Sequence, residues 1–102
     1  MEISVAYKEE RVCFTVKGKI GDQGAEVLMS RFFELDKSSF REVIFDFRAV
    51  SNIGSKGIGK LLLFYKDLAA SGASMRVENV SDTLYDLFSV LKLDTIFPIT
   101  KA

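Results

Sequence analysis

The stretch GSKGIGKL, from Gly54 to Leu61, contains the residue types of a phosphate-binding loop. It matches the pattern G-x-x-x-x-G-K-[ST] except at its last position, where Leu61 replaces the hydroxyl residue that would hold Mg²⁺. Leu61 also falls in an apolar helical stripe, so we expect it to pack in the core. The predicted strand before the stretch ends at Phe47, too early for such a loop. These features argue against a nucleotide-binding enzyme.

The start of the helix that follows is the second chemical feature of this stretch. The first N–H groups of a helix and its positive dipole end favour an anion, which could be a phosphate carried covalently by Ser55. Ser55 could equally be an ordinary capping residue. Both interpretations stay open, as do solvent exposure or partner contact for Lys56 and Lys60. Gly57 and Gly59 are expected to let the helix start approach its surroundings closely.

The composition excludes several classes of function. The chain of 102 residues has 14 basic and 14 acidic residues, so no overall charge favours nucleic acid or an anionic membrane. It has no histidine and one cysteine, Cys13, which excludes Ser-His and Cys-His catalysis, intramolecular disulfides and thiolate metal clusters. We expect no catalytic residue, metal or cofactor. No signal peptide or apolar run of membrane-spanning length is seen, which predicts a cytoplasmic protein without membrane insertion.

Hydrophobic periodicity predicts one α/β domain over residues 1–102, with the order β-β-α-β-α-β-α-β. Alternating strands and helices are typical of a mixed, mainly parallel sheet, here with about three to four helices packed on it. The first two strands are expected to form a hairpin. The near-continuous apolar strand Glu42–Phe47 is expected to be covered on both faces. The predicted strands are 3–7, 11–18, 42–47, 74–80 and 95–99.

Capping residues and apolar stripes predict how the helices lie. Asp22 and Ser81 are expected to cap the first and third helices, and Gly72 to end the second. Beside the apolar stripe of the second helix, Leu63 and Phe64 are either ordinary exposed residues or a docking face. The stripe itself comprises Ile58, Leu61, Leu62, Tyr65, Leu68 and Ala69, and the inward face of the third helix comprises Leu84, Leu87, Phe88 and Leu91.

Residues 43–99 resemble the STAS domain, the fold shared by bacterial anti-sigma factor antagonists and the cytoplasmic part of sulphate transporters. In that family a segment D-S-[ST]-G-[LI]-G opens the second helix, and GSKGIG, Gly54 to Gly59, occupies that place. VKGKIGDQGAEVL is similar to the family's pattern G-x-[IL]-D-x-x-x-A-x-x-L at the first helix. The resemblance extends over nearly the whole chain and implies a STAS-like fold.

The resemblance also implies a function. In regulatory members of the family, the serine at the place of Ser55 is phosphorylated by an anti-sigma factor that is also a serine kinase, and the unphosphorylated form binds that kinase. Carried over, this makes Ser55 the phosphorylation site and leaves ATP with the partner. The partner-binding residues would then be Gly21, Asp22, Gln23, Asn52, Ile53, Gly54, Ser55, Lys56 and Leu63.

Three positions differ from the family pattern. Gly54 and Gly21 stand where the family has aspartates, and Lys56 replaces the second hydroxyl residue. These differences keep an alternative open, in which the chain is a STAS scaffold or transport-complex subunit that is never phosphorylated. We expect a monomer or weak dimer in either case.

Overall fold

The computed structural model describes all 102 residues and has the predicted order of elements. A 3₁₀ helix, Leu93–Thr95, precedes the last strand. The strands are β1 (Glu2–Lys8), β2 (Arg11–Ile20), β3 (Glu42–Ile53), β4 (Ser74–Val80) and β5 (Ile99–Lys101), and the helices are α1 (Asp22–Phe33), α2 (Ser55–Ala70) and α3 (Asp82–Val90).

The five strands form one sheet in the order β1-β2-β3-β4-β5. β1 runs antiparallel to β2, and every other neighbouring pair is parallel, which confirms the predicted mixed, mainly parallel sheet. Each crossover moves the chain one strand further in the same direction. Because such crossovers share one hand, all three helices lie on the same face of the sheet. None of these helices has both the length and the apolar character required to cross a membrane.

Aromatic rings join that face of the sheet to the helices. Phe45 of β3 lies 5.7 Å from the ring of Phe64 in α2, which in turn stacks on Phe32 of α1 at 4.1 Å. On one side Phe45 stacks on Phe14 of β2 at 5.2 Å. All four side chains are fully buried. Stacked aromatic pairs contribute beyond their buried area, so this group fixes how α1 and α2 sit on the sheet.

The opposite face of the sheet carries no helix, so the prediction that β3 is covered on both faces is wrong. Ile44 is only half-buried there, between Cys13 of β2 and Arg76 of β4 in the strand register. Ion pairs lie across this face, including Arg11 Nε to Glu42 Oε1 at 3.3 Å. Long charged side chains with apolar stems shield Ile44 without a helix. Partial burial raises the pKa of the Cys13 thiol above its ordinary value of 9.0, which lowers its reactivity.

β3 is longer than predicted and runs to Ile53 without a loop before α2. Its buried positions after Phe47 are Val50 and Ile53, so the period-2 pattern is lost and the sequence no longer indicates a strand. The β2–β3 register shifts in the same region, as in a β-bulge. The predicted strand end at Phe47, which was taken as evidence against a phosphate loop, is therefore wrong. The predicted burial of Leu61 is confirmed, because its side chain is fully buried.

Side-chain hydrogen bonds hold the irregular parts of β3 and β4 together. Asn79 of β4 adopts a left-handed conformation, with φ of 61°. Its amide nitrogen donates to Asp46 Oδ1 at 3.1 Å, and its amide oxygen accepts from Arg48 Nη2 at 3.1 Å. The backbone N–H of Arg48 donates to the same Asp46 oxygen at 3.0 Å. The two strands can thus depart from regular pairing without leaving these groups unpaired.

The apolar stripe of α2 is confirmed at Leu61 and Leu68, but the buried face is rotated from the predicted one. Its buried residues are Gly57, Leu61, Phe64 and Leu68, at the spacing of one helical face. Leu62 and Tyr65, which were expected to be inside, are 37% and 36% exposed, and Ala69 is also exposed. The buried face includes Gly57, and hydropathy alone does not identify a glycine as a contact residue. Without Gly57 the predicted stripe was rotated, so Phe64 was placed at its flank and not in the core.

The C-terminal third agrees more closely with the prediction. Ser81 caps α3, its hydroxyl oxygen accepting from the Leu84 N–H at 3.2 Å, and Gly72 ends α2 with φ of 77°. Leu84 and Phe88 are buried, but Leu91 is 46% exposed because α3 ends at Val90. The last strand was predicted at 95–99 and lies at Ile99–Lys101, so it follows Pro98 and does not contain it. The 3₁₀ helix Leu93–Thr95 includes the first residue of the predicted strand.

The first turn of α2 lies directly on the ends of β2 and β3. A Cβ atom at Gly57 would lie 2.7 Å from Ile53 Cγ1 and 2.9 Å from Ile20 Cγ2, so a side chain here would force the two isoleucines to shift. The same atom at Gly59 would have no neighbour within 4 Å. The expected close approach is therefore correct for Gly57 and wrong for Gly59.

We predict opposite effects of alanine at these two glycines. Gly57→Ala should lower the free energy of unfolding by about 1–2 kcal/mol, because strain against the two isoleucines outweighs the gain in helix propensity. Gly59→Ala should raise it by about 0.5–1 kcal/mol, because it removes backbone entropy at an open position. Urea unfolding measures both. Equal effects of the two changes would contradict this account of Gly57.

We predict a similar contrast for the neighbouring residues Leu63 and Phe64. Phe64→Ala should cost about 3–5 kcal/mol, because it opens a cavity among the stacked rings. Leu63→Ala should change stability by no more than about 0.5 kcal/mol, since Leu63 is 40% exposed. The midpoints of thermal unfolding check both variants. A small loss for Phe64→Ala would show that the ring stack does not hold α2.

Candidate partner-binding site

Two segments meet where β2 and β3 end. The backbone N–H of Gly54 donates to the carbonyl of Ile20 at 2.9 Å, and Ile20 pairs with Ile53 in the parallel register. Gly21 follows Ile20 and Ser55 follows Gly54, so the starts of α1 and α2 lie side by side. The structure thereby brings together residues 21–23 and 52–56, the two segments that the sequence singled out. Asp22, Gln23, Asn52, Ser55 and Lys56 are exposed, and Gly21 and Gly54 are half-buried.

Ser55 is the first residue of α2 and not its cap. Gly54 occupies the cap position with an extended backbone, φ −89° and ψ 176°, and no side chain hydrogen-bonds to the helix start. The capping interpretation of Ser55 is therefore wrong. The exposed hydroxyl of Ser55 stands beside N–H groups that helix geometry leaves without an acceptor.

The charges around Ser55 favour an anion. The first turn of α2 contains no acidic residue, and Lys56 is exposed next to Ser55. Asp22 was expected to cap α1, but Gly21 takes the cap position and Asp22 is the first helical residue, without a capping hydrogen bond. Its carboxylate stabilises the N-terminus of α1 through the helix dipole. The positive end of α2 has no such compensation.

Asn52 and Ile53 have different places in the site. Asn52 is exposed and turns its Oδ1 back to accept from the Ile53 N–H at 2.8 Å. Ile53 is only 4% exposed and packs beneath Gly57. The Ile53 side chain thus supports the surface from below, whereas Asn52 belongs to the surface itself.

The residues further along α2 separate into two groups. Lys60, which the sequence left as solvated or as a partner contact, pairs with Glu26 of α1 at 3.5 Å, and its side chain is 21% exposed. Leu63 is 40% exposed, whereas Phe64 is fully buried. Of the two alternatives that the sequence left open, a docking face shared by Leu63 and Phe64 is excluded, because only Leu63 is exposed.

A surface cavity of about 520 Å³ lies at the start of α1. It includes Met1, Lys19 and Val27 beside residues 21–24, and sequence reasoning missed these three. Met1 reaches the cavity because β1 and β2 pair with Glu2 opposite Lys17, which carries the chain past Gly18. Extending the predicted first strand, 3–7, by two residues in the same register would have placed Met1 beside Gly18.

This arrangement suits recognition by a protein. It combines an exposed hydroxyl, the uncompensated N-terminus of a helix, polar side chains from two segments and the apolar residues Val27 and Leu63. It holds no cluster of three or more metal-ligating side chains. A phosphate on Ser55 would change the charge of this surface at its centre.

Comparisons with known proteins agree with the fold and give it a family. The sequence model of the STAS domain matches residues 2–102. A putative anti-sigma factor antagonist from Thermotoga maritima has a similar structure, with a TM-score of 0.89 and 15% identity over 98% of this chain and 86% of that one. An anti-sigma factor antagonist from Mycobacterium paratuberculosis gives a TM-score of 0.87 and 21% identity over 99% and 86%.

The anti-sigma factor antagonist SpoIIAA in its unphosphorylated form is a further structural relative. It is 18% identical, with a TM-score of 0.74 over 99% of this chain and 88% of that one. The phosphorylated form of SpoIIAA from Bacillus matches with the same identity and TM-score over 96% and 90%. At these identities the structures establish the shared fold, and the match to the sequence model establishes the family. This chain therefore belongs to the STAS domain family and has the fold of anti-sigma factor antagonists.

Proposed function

We propose that this protein is a binding switch of the anti-sigma factor antagonist type and not an enzyme. Its unphosphorylated form binds an anti-sigma factor that is also a serine kinase, and phosphorylation of Ser55 releases the complex. The kinase supplies ATP, so the chain itself needs no cofactor or metal. The binding surface comprises residues 21–23, Asn52, residues 54–56 and Leu63, and the buried side chain of Ile53 supports it from below.

The observation that carries the proposal is the position of Ser55. Its side chain is exposed and free of any capping role, so a kinase can reach it without breaking the start of α2. SpoIIAA, which shares the fold, exists in both an unphosphorylated and a phosphorylated form. An accessible hydroxyl at the centre of a surface of two segments is suited to a covalent switch.

The physical effect of phosphorylation follows from charge. A phosphoserine adds about −1.5 to −2 charges and three acceptor oxygens at neutral pH. The N-terminus of α2 and Lys56 stabilise that charge within the protein. A partner docked on the same surface meets both the bulk and the charge of the phosphate. A loss of only ~1.4 kcal/mol lowers affinity tenfold, so a modest clash is sufficient.

The acidic variant Ser55→Asp tests whether this position controls binding. We expect it to weaken binding of the anti-sigma factor kinase by about tenfold or more, because it places a carboxylate at the centre of the surface. Ser74→Asp is the matched control, since Ser74 is exposed at the beginning of β4, at the opposite end of the parallel strands. It should leave affinity unchanged. Isothermal titration calorimetry measures both variants.

Unchanged affinity in Ser55→Asp would contradict the switch. It would favour the alternative in which the chain is a STAS scaffold or transport-complex subunit that is never phosphorylated. Gly21 and Gly54, at the places of the family's aspartates, are the observations that motivate this alternative.

We also predict that Ser55 can be replaced without loss of stability. Ser55→Ala should change the free energy of unfolding by less than about 0.5 kcal/mol, because its hydroxyl caps nothing. Ser81→Ala should cost about 1 kcal/mol, because it removes the bond to the Leu84 N–H. Urea unfolding of the two variants compares them directly. A loss at Ser55 as large as that at Ser81 would restore the capping interpretation.

A further inference from the structure

The two edges of the sheet are built differently. β5 has three residues, follows Pro98 and carries Lys101, features that protect an edge from pairing with another chain. β1 has seven residues, no proline, and a register with β2 that runs without a shift. Its central residues, 3–7, are uncharged. Of the protective features of β5, β1 therefore shares only a lysine at the strand end, Lys8.

The charges at the two ends of β1 are complementary to each other. Glu2 begins the strand, Lys8 ends it, and both are exposed. If two copies of β1 pair antiparallel about Val5, Glu2 of each copy lies opposite Lys8 of the other. Within one chain Lys8 pairs in register with Arg11, a like charge. A partner's Glu2 would relieve that repulsion, and opposite charges across strands are stabilising.

The apolar residues of β1 agree with the same pairing. Ile3, Val5 and Tyr7 point to the helix-bearing face, since their partners in β2 are the buried residues Val16, Phe14 and Val12. That face is incompletely covered at the edge, where Tyr7 is 60% exposed and a groove of about 240 Å³ lies beside Val5 and Tyr7. The same register sets Ile3 of each copy opposite Tyr7 of the other. Both grooves would then be bordered by a second apolar strand.

From the poorly protected edge, the complementary charges and the uncovered apolar face, we propose that β1 binds β1 of a second copy of this chain. The two sheets join into one continuous ten-stranded sheet about a two-fold axis at Val5, twice the five strands of one chain. This interface is closed, because each copy presents the same strand to the other. Ser55 follows β3, which is separated from β1 by β2, so each copy keeps Ser55 exposed to a partner. Met1, which lines the cavity at the start of α1, directly precedes β1 and lies beside the interface.

Charge reversal tests the register. Glu2→Lys alone and Lys8→Glu alone each set like charges opposite each other in a homodimer, and each should weaken self-association by about tenfold or more. An equimolar mixture of the two single variants sets opposite charges at both ends and should form a heterodimer. The double variant Glu2→Lys/Lys8→Glu should dimerise like the original chain. Sedimentation equilibrium up to about 1 mM covers the range of a weak dimer.

Cross-linking provides a second measurement that does not depend on charge. In a Cys13→Ser background, Val5→Cys should form an intermolecular disulfide, because the two residues face each other at the axis. Tyr7→Cys is the control and should not, because it faces Ile3 of the other copy. Circular dichroism confirms that each variant is folded.

A chain that stays monomeric at every concentration would overturn the proposal. So would equal cross-linking at the two positions, or a mixture of single variants that associates no better than either alone. None of these results bears on Ser55, because the binding of the kinase is measured separately.

Discussion

The contact between Gly57 and the isoleucines at the ends of β2 and β3 determines most of the structure around the site. Because Gly57 has no side chain, the first turn of α2 rests directly on Ile20 and Ile53. That contact sets the rotation of the helix, which sends Leu61, Phe64 and Leu68 into the core. The same rotation leaves Ser55 and Lys56 on the outside. One close backbone approach therefore produces both the packing of α2 and the exposure of the residue that we assign as the switch.

The sequence was sufficient to predict the order of the elements and the mixed sheet, because most elements keep a regular hydrophobic period and clear stop signals. It was insufficient where regularity is lost. β3 changes its period after Phe47, and the hydrogen bonds that support this change come from Asn79, a residue remote in sequence. The sequence also did not predict that one face of the sheet lacks helices. Ile44 has the hydropathy of a core residue, and only the structure shows that the charged side chains of Arg76 and Glu42 lie beside it.

The candidate site was also only partly predictable from the sequence. The order of the motifs was enough to predict that residues 21–23 and 52–56 lie on one surface, since both segments follow neighbouring parallel strands. The details depended on contacts that no local pattern encodes. Ser81 and Ser55 both stand near a helix start, yet only Ser81 caps its helix, because Gly54 takes the cap position before Ser55. Lys60 looked like a free cation and pairs with Glu26 of the neighbouring helix.

Phosphorylation by the anti-sigma factor kinase tests the central claim most directly. The cognate anti-sigma factor kinase is incubated with the intact protein and ATP, and the products are mapped by mass spectrometry. The account predicts one phosphate on Ser55 and none in the Ser55→Ala variant. A protein that binds the kinase but takes up no phosphate, or takes it up on another residue, would contradict the assignment of Ser55 as the switch.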